Sequence, residues 1–183
     1  MQNGPSLPKN GPALASSALP TIVSKQGAKD TEIDSGSLAV LSAEILSAGA
    51  TASSSKGTRS APETSLGWVH LVPNNSDLHF LPGGTIIAAE LGMSFGIKLI
   101  LHGPPKMTIV PLRTRVTHPP ITNSTSGVTT TVDEWDSPMN VGIPRYIGWS
   151  FDNSWELVPG VWVMELLDHQ RPILAQQFTI TTR

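Results

Sequence analysis

Residues 154–180 read SWELVPGVWVMELLDHQRPILAQQFTI, and this stretch decides the fold. Its Pro159-Gly160 pair predicts a tight turn, because proline presets φ and glycine tolerates positive φ. Beyond the turn, large apolar side chains recur at every second position, which is the spacing of a strand with one buried face. The polar segment DHQRP at 168–172 predicts only a reversal between two paired strands. The residues predicted to face the core are Trp162, Met164, Leu166, Leu174, Phe178 and Ile180.

The same period of two recurs upstream in the segment GIKLILHGPP at 96–105. Ile97, Leu99 and Leu101 are predicted to share one face of a strand, because successive side chains of a strand alternate between its faces. The glycine and two prolines that follow predict the end of this strand.

A further strand is predicted in the run KMTIVPLRTRVTHPP at 106–120. Arg113 and Arg115 lie on one face of it. Because Pro111 cannot donate a ladder hydrogen bond, we expect the strand to lie at a sheet edge or to bulge there. The proline pair at 119–120 predicts its end.

About seven short strands without helical periodicity predict an all-β domain. The 16 glycines and 16 prolines among 183 residues supply the many turns that such a domain needs. An immunoglobulin-like antiparallel β-sandwich fits this pattern best. The alternative is a small β-barrel or jelly roll.

The aromatic residues mark out the domain organisation, because every aromatic residue and every histidine lies after Gly67. Aromatic side chains supply much of the buried area of a core, so residues 67–183 are predicted to form the sandwich. Residues 1–30 are predicted to be a flexible N-terminal arm. Residues 31–66 are predicted to be a short element followed by a Ser/Ala-rich linker. Within them, 31–48 fits a helix by its leucine spacing and also fits a strand that pairs with the main sheet.

The composition argues against several classes of function. A net charge of −2 with scattered basic residues gives no electrostatic reason to bind nucleic acid. The absence of cysteine excludes disulfides and thiolate metal sites. The five histidines lack zinc-site spacing, so neither a metal nor another cofactor is predicted. No segment has the apolar length of a membrane span, and no continuous apolar core of a signal peptide is visible at the N-terminus.

His118 precedes an acidic run, Asp133, Glu134 and Asp136, that surrounds Trp135. A histidine beside a carboxylate is an acid–base pair or half of a metal site. Carboxylates beside an aromatic ring also suit sugar binding or glycoside hydrolysis. The competing interpretation is structural, with His118 at a strand end and the charges in solvent around a half-buried tryptophan.

Arg113 and Arg115 give the strongest prediction of binding in this sequence. If their strand lies at a sheet edge, it offers unpaired backbone groups to a strand of another chain. No residue is predicted to be catalytic. The residues predicted to bind a partner are Arg113, Arg115, His118 and Trp135.

Glu156 lies in the turn that precedes the final hairpin. Backbone N–H groups of a turn need acceptors, so this carboxylate is predicted to accept hydrogen bonds from the turn. The alternative is an ion pair with Arg145 or Arg171.

The order of four segments resembles a family of small bacterial proteins known only as a domain of unknown function. The segments are LGMSFGIKLILHG, VTHPP, YIGWSFDNSWELVPGVWVMEL and ILAQQFTI, and the resemblance covers roughly Thr85 to Thr181. The turn Trp-Glu-Leu-Val-Pro-Gly-x-Trp is its most specific motif. The resemblance implies a β-sandwich and a periplasmic or cell-envelope setting, and it implies no activity.

The sequence therefore predicts a non-enzymatic β-sandwich module with an interaction or structural role. Its expected partner is a protein, or a second copy of the chain, held by an edge strand or by the N-terminal arm. The alternative is a carbohydrate-binding or hydrolytic protein that uses His118 and the acidic run near Trp135.

Overall fold

The computed structural model of the chain describes residues 42–52, 57–71, 78–103 and 105–182. Over these residues the chain forms twelve strands and one 3-10 helix, Ser154–Glu156. None of the described helical segments is long and apolar enough to cross a membrane. The strands are β1 (Ser42–Ala52), β2 (Thr58–Ala61), β3 (Gly67–His70), β4 (Ile86–Ala88), β5 (Met93–His102), β6 (Ile109–Val110), β7 (Arg113–Thr122), β8 (Thr129–Asp136), β9 (Met139–Asn140), β10 (Arg145–Ser150), β11 (Gly160–Asp168) and β12 (Arg171–Thr181).

Two sheets carry most of these strands. One has three strands in the order β1-β5-β10, and the other has five in the order β4-β12-β11-β7-β8. All their pairs are antiparallel except β4 with β12, which is parallel. Two short ribbons, β2-β3 and β6-β9, complete the described part of the fold. The predicted all-β sandwich is confirmed, and no described sheet closes into the barrel of the alternative.

An aromatic cluster joins the two sheets. Phe95 on β5 contacts Trp162 on β11 and Phe178 on β12, with ring centroids 5.7 and 5.0 Å apart. Phe151, which follows β10, stacks on Phe95 at 5.4 Å. All four rings are fully buried. Because each ring removes a large apolar area from water, this cluster is the centre of the core.

The predicted alternation is present in the strands that build the core. Ile97, Leu99 and Leu101 of β5 are buried, as are all six residues predicted to face inward from the final hairpin. The hairpin reverses through His169 and Gln170, whose φ angles are 47° and 73°. Positive φ at both central residues gives the turn a twist that matches the twist of the flanking strands.

β7, which carries Arg113 and Arg115, is not at a sheet edge, so the edge alternative of that prediction is wrong. It pairs with β11 on one side and with β8 on the other. Pro111 lies before the first residue of β7. Together with Leu112 it separates β6 from β7. Proline here interrupts a strand and does not mark an edge.

The proline pair at 119–120 does not end β7, so that prediction is also wrong. The register with β8 shifts between Thr117 and Ile121, which places both prolines in a bulge. A bulge needs no ladder donor from them. Gly160 approaches this bulge closely, since a Cβ on it would lie 2.8 Å from Pro119 Cγ.

Residues 42–52, which the sequence predicts as part of a short element and linker, form β1. This strand pairs with β5 along its length, so the helix alternative is wrong for 42–48 and the strand alternative holds there. A Cβ on Gly49 would lie 2.9 Å from the carbonyl oxygen of Gly84. The small residues of this segment thus permit close packing, although their composition resembles that of a linker.

β2 also lies before the predicted domain boundary at residue 67. It pairs with β3 from Thr58 to Ala61, so part of the predicted linker is a strand. The predicted arm, residues 1–30, lies outside the described residues.

Candidate functional site

A cleft of about 310 Å³ opens where three parts of the fold meet. Residues 145–150 of β10 form one side. Residues 68–71, in and just after β3, also line the cleft, as do residues 135–139, from the end of β8 to the start of β9. The volume is at the lower end of the range for ligand sites, which begins at about 300 Å³.

The cleft borders the backbone of β10 and not only one of its faces. β10 is the last strand of its sheet and, among the described elements, it pairs with β5 alone. All six of its residues line the cleft, although only alternate side chains of a strand point to one side. An unpaired edge presents a row of N–H and C=O groups. The cleft therefore offers backbone hydrogen bonds to an extended ligand.

Tyr146 covers two glycines that face each other on β10 and β5. Gly148 and Gly96 are register partners. A Cβ on Gly148 would lie 2.2 Å from Tyr146 Oη, and one on Gly96 would lie 2.8 Å from Tyr146 Cζ. The tyrosine ring thus occupies the space that two side chains would need.

The phenol of Tyr146 stays protonated at neutral pH. Burial raises the pKa of Tyr146 to about 12, while a hydrogen bond with Thr51 Oγ1, at 3.4 Å, opposes the shift. Two more hydroxyls of the cleft, Ser94 Oγ and Ser150 Oγ, are 2.6 Å apart. These groups donate and accept hydrogen bonds without carrying charge.

Two arginines line the cleft, Arg59 on β2 and Arg145 at the start of β10. Arg59 Nη2 donates a hydrogen bond to the carbonyl oxygen of Asp136 at 2.6 Å. Within the described residues, no carboxylate lies within ion-pair distance of either guanidinium. Each guanidinium carries five N–H donors, so both retain donors for a ligand.

Trp68 and His70 of β3 form another part of the wall of the cleft. Trp68 is half-buried and meets the imidazole of His70 edge-on, with centroids 4.9 Å apart. His70 Nε2 lies 2.9 Å from Asp152 Oδ2. The wall therefore combines an apolar ring with a polar group.

His118 lies beside a carboxylate, but inside the domain. Its Nε2 is 2.8 Å from Asp133 Oδ2, and its Nδ1 is 2.8 Å from the carbonyl oxygen of Pro119. Asp133 also accepts a hydrogen bond from the backbone N–H of Ser65. The imidazole packs on Trp162 with centroids 4.9 Å apart. The His118 and Asp133 side chains are fully buried and do not line the cleft, so they join the β2-β3 turn to the sheet.

Arg113 and Arg115 are paired with acidic residues of their own sheet. Arg113 Nη1 lies 3.0 Å from Glu134 Oε2, and Arg115 Nε contacts the other oxygen of Glu134. Arg115 is also 3.9 Å from Glu165. Their charges are offset within the sheet, and neither residue lines the cleft.

The acidic run around Trp135 is divided between the two faces of β8. Asp133 and Trp135 point inward and are buried, whereas Glu134 and Asp136 point outward, because strand side chains alternate. Of this run, Trp135 and Asp136 line the cleft. The structure therefore brings Trp135 into the cleft and keeps His118 out of it. In the part of the chain that the structure describes, no cluster of three or more His, Asp or Glu residues is arranged to hold a metal ion.

Glu156 accepts hydrogen bonds from the turn before the final hairpin. Its Oε1 accepts from the backbone N–H of Asn153 at 2.7 Å and from Asn153 Nδ2 at 2.8 Å. Burial raises the pKa of Glu156 to about 7, and the hydrogen bonds from Asn153 act against this shift. The described ion pairs include none between Glu156 and Arg145 or Arg171.

Sequence reasoning missed the main residues of the cleft. Arg59 lies in a segment of linker composition, and no binding role was predicted for Arg145 or Tyr146. The one available signal was Trp68, the first aromatic residue of the chain. The arrangement of these residues depends on strand order, which no local pattern encodes.

A family model described as a domain of unknown function (DUF3859) matches residues 58–180. Comparison with curated protein sequences gave no match. The match includes β2, which the sequence prediction had placed in the linker.

A search of solved structures matched the chain to the crystal structure of an immunoglobulin-like protein from Pseudomonas aeruginosa. The two are 16% identical, with a TM-score of 0.51, and the match covers 78% of this chain and 99% of that chain. It supports the immunoglobulin-like form of the predicted sandwich. An alkylpurine DNA glycosylase of Pseudomonas fluorescens, bound to DNA with an abasic site analog, matches at a TM-score of 0.32. It is 13% identical, with 52% of this chain and 27% of that chain covered, and a likeness this low does not show a shared fold.

Proposed function

This chain belongs to the DUF3859 family, a domain of unknown function, and on that premise we propose that it is a non-enzymatic interaction module. It binds an extended segment of a protein partner in the cleft beside β10. The segment adds to the free edge of β10 as a further strand, by backbone hydrogen bonds.

One observation carries this proposal: the six consecutive residues of β10 line a cleft and have no strand on their outer side among the described elements. A cleft for a compact ligand needs side chains from one face, whereas strand addition needs the backbone of a strand edge. Residues 68–71 also line the cleft, so a segment bound there contacts them as well as β10.

The proposal assigns no catalytic step to His118 and Asp133. Acid–base catalysis needs a side chain within hydrogen-bond reach of the substrate, at about 2.6–3.2 Å. Both side chains have no exposed surface, and their polar atoms are engaged with each other, Pro119 and Ser65. A ligand in the cleft does not contact them.

The test is a titration of the ¹⁵N-labelled full chain with a capped hexapeptide that alternates valine and glutamine. We expect the largest amide shift changes in residues 145–150 and 68–71. The outer edge of β8 is the matched control. β8 is also the last strand of its sheet, but its residues before Trp135 do not line the cleft.

A second peptide of the same sequence is N-methylated at its four central residues. It lacks the N–H donors of those four residues and keeps the same side chains. Strand addition predicts that this peptide no longer binds. Equal binding of the two peptides, or shift changes confined to β8, would contradict the proposal.

Carbohydrate binding is the second candidate, because Trp135 and Trp68 both line the cleft. Sugars stack on exposed aromatic faces, and Trp135 is only 8% exposed, so Trp68 would supply the stacking surface. A glycan array with the wild type and a Trp68→Ala variant tests this candidate. Binding of a sugar that the variant loses would favour it over the peptide.

The proposal includes a periplasmic or cell-envelope setting, which is what the family resemblance implies. Fractionation of the native host, with an antibody against the chain, tests the setting independently of the ligand. Recovery only with cytoplasmic markers would contradict it.

A further inference from the structure

We infer that the partner segment carries an acidic side chain, which Arg59 and Arg145 bind in the cleft. This inference rests on the proposed strand addition and names the chemistry of the partner. The proposed occupant of the cleft is an extended acidic peptide segment. A second copy of the chain is the competing outcome of the test.

The ion pairs of the other arginines make these two residues distinct. Of the five described arginines, Arg113, Arg115 and Arg171 each lie within 4.0 Å of a carboxylate. Arg59 and Arg145 do not, and they are the two that line the cleft. Among the described arginines, those outside the cleft are thus paired with carboxylates, and the two at the cleft are not.

The other charged groups around the cleft do not cancel this positive character. Asp136 also lines it, but its carboxylate is 3.5 Å from Arg113 Nε, and its side chain is mostly exposed to solvent. His70 lies against Asp152. Since guanidinium groups bind carboxylates through paired hydrogen bonds, an acidic ligand complements the lining.

The geometry of strand addition sets the spacing of the acidic residues. A segment paired with β10 points every second side chain to the same side. An alternating acidic pattern therefore places each carboxylate on one side of the segment, and the neutral residues between them face the opposite side.

The experiment compares three capped hexapeptides in which valine alternates with glutamate, glutamine or lysine. With the full chain at low ionic strength, we expect the glutamate peptide to bind at least about fivefold more tightly than the glutamine peptide, because hydrogen bonds between charged partners are stronger. We expect the lysine peptide to bind more weakly than both. The preference for glutamate is expected to diminish at high salt.

Arg59→Gln and Arg145→Gln are each expected to reduce the ratio of glutamate-peptide affinity to glutamine-peptide affinity. Arg171→Gln is the matched control, since Arg171 is an exposed arginine that does not line the cleft. An Arg145→Lys variant, which keeps the charge and loses the planar fork, is expected to retain part of the preference.

The outcomes separate this inference from the proposed function. If all three peptides bind equally at β10, strand addition holds and the acidic preference is wrong. If none of them perturbs β10, the proposed function itself fails. If the peptide-free chain sediments as a dimer that Arg145→Gln dissociates, the occupant is a second copy, and the inference of an acidic peptide is overturned.

Discussion

The carboxylate of Glu156 accepts a hydrogen bond from Trp149 Nε1 at 3.1 Å, which ties the 3-10 helix to β10. Both side chains are buried, with Glu156 fully so. A carboxylate in such a place is an ionisable group whose protonation changes on folding. Its first consequence is a dependence of stability on pH.

The contribution of Glu156 to the stability of the domain is expected to fall as pH rises between about 4.5 and 7. The pKa of Glu156 is raised from 4.5 to about 7, so in this window the folded state binds more protons than the unfolded state. By linkage, the contribution of Glu156 to stability is fully present below pH 4.5 and is lost as pH rises through 7. At about 1.4 kcal/mol per pKa unit, a shift from 4.5 to about 7 sets an upper limit of roughly 3–4 kcal/mol on the loss.

Urea unfolding of the wild type and of Glu156→Gln at several pH values measures this effect. The variant keeps the shape of the side chain and does not titrate, so other titrating groups cancel in the difference between the two proteins. We expect the wild type to lose stability relative to the variant as pH rises. A difference that stays constant from pH 4.5 to 8 would count against the raised pKa.

Gly148→Ala is expected to destabilise the domain by about 1–3 kcal/mol, because overpacking forces neighbours to move. The new Cβ would lie 2.2 Å from Tyr146 Oη, so the tyrosine must leave its place over the two glycines. Thermal unfolding measures the loss. In a Tyr146→Ala background, the same substitution is expected to cost less, and equal costs in both backgrounds would contradict the contact.

Asp133→Asn is expected to cost about 1–3 kcal/mol, because the amide replaces one acceptor oxygen of a fully buried carboxylate with an N–H donor. Asp136→Asn on the same strand is the matched control. Its side chain is 78% exposed, so its change is expected to stay below about 0.5 kcal/mol. Similar costs for the two variants in denaturant unfolding would show that the buried pair does not stabilise the fold.

The sequence predicted the strands that have one buried face and long apolar side chains. β5, β11 and β12 follow the period of two because the same face of each lies in the core. β1 was predicted only as one of two alternatives over 42–48, and its end was assigned to the linker, because Gly49 and its small neighbours fit against the backbone of Gly84. Close packing of small residues leaves no hydrophobic period, and its composition resembles that of a linker.

The candidate site was less predictable than the fold. His118 and Asp133 were foreseen as neighbours of possible function, but their burial depends on the pairing of β7 with β8. Arg59 and Arg145 are 86 residues apart by numbering (145 − 59) and meet at one cleft only through the order of the strands. A single sequence does not encode strand order in local patterns.

The final turn illustrates this limit and gives the last prediction. The segment DHQRP predicted a reversal of the chain. His169 and Gln170 both have positive φ there, a backbone conformation that residues other than glycine and asparagine rarely adopt. Gln170→Gly is therefore expected to stabilise the domain by about 0.5–1 kcal/mol, because glycine adopts a φ of 73° without steric cost. The contact that it removes, from Arg115 Nη2 to Gln170 Oε1, is long at 3.4 Å.

Gln177→Gly makes the same replacement at an exposed position within β12. There the backbone is extended, so glycine only adds entropy to the unfolded chain and is expected to destabilise by about 0.5–1 kcal/mol. Chemical unfolding measures the change in stability of each variant. We expect the change to be positive for Gln170→Gly and negative for Gln177→Gly. Loss of stability in both would mean that the turn stores no strain at Gln170.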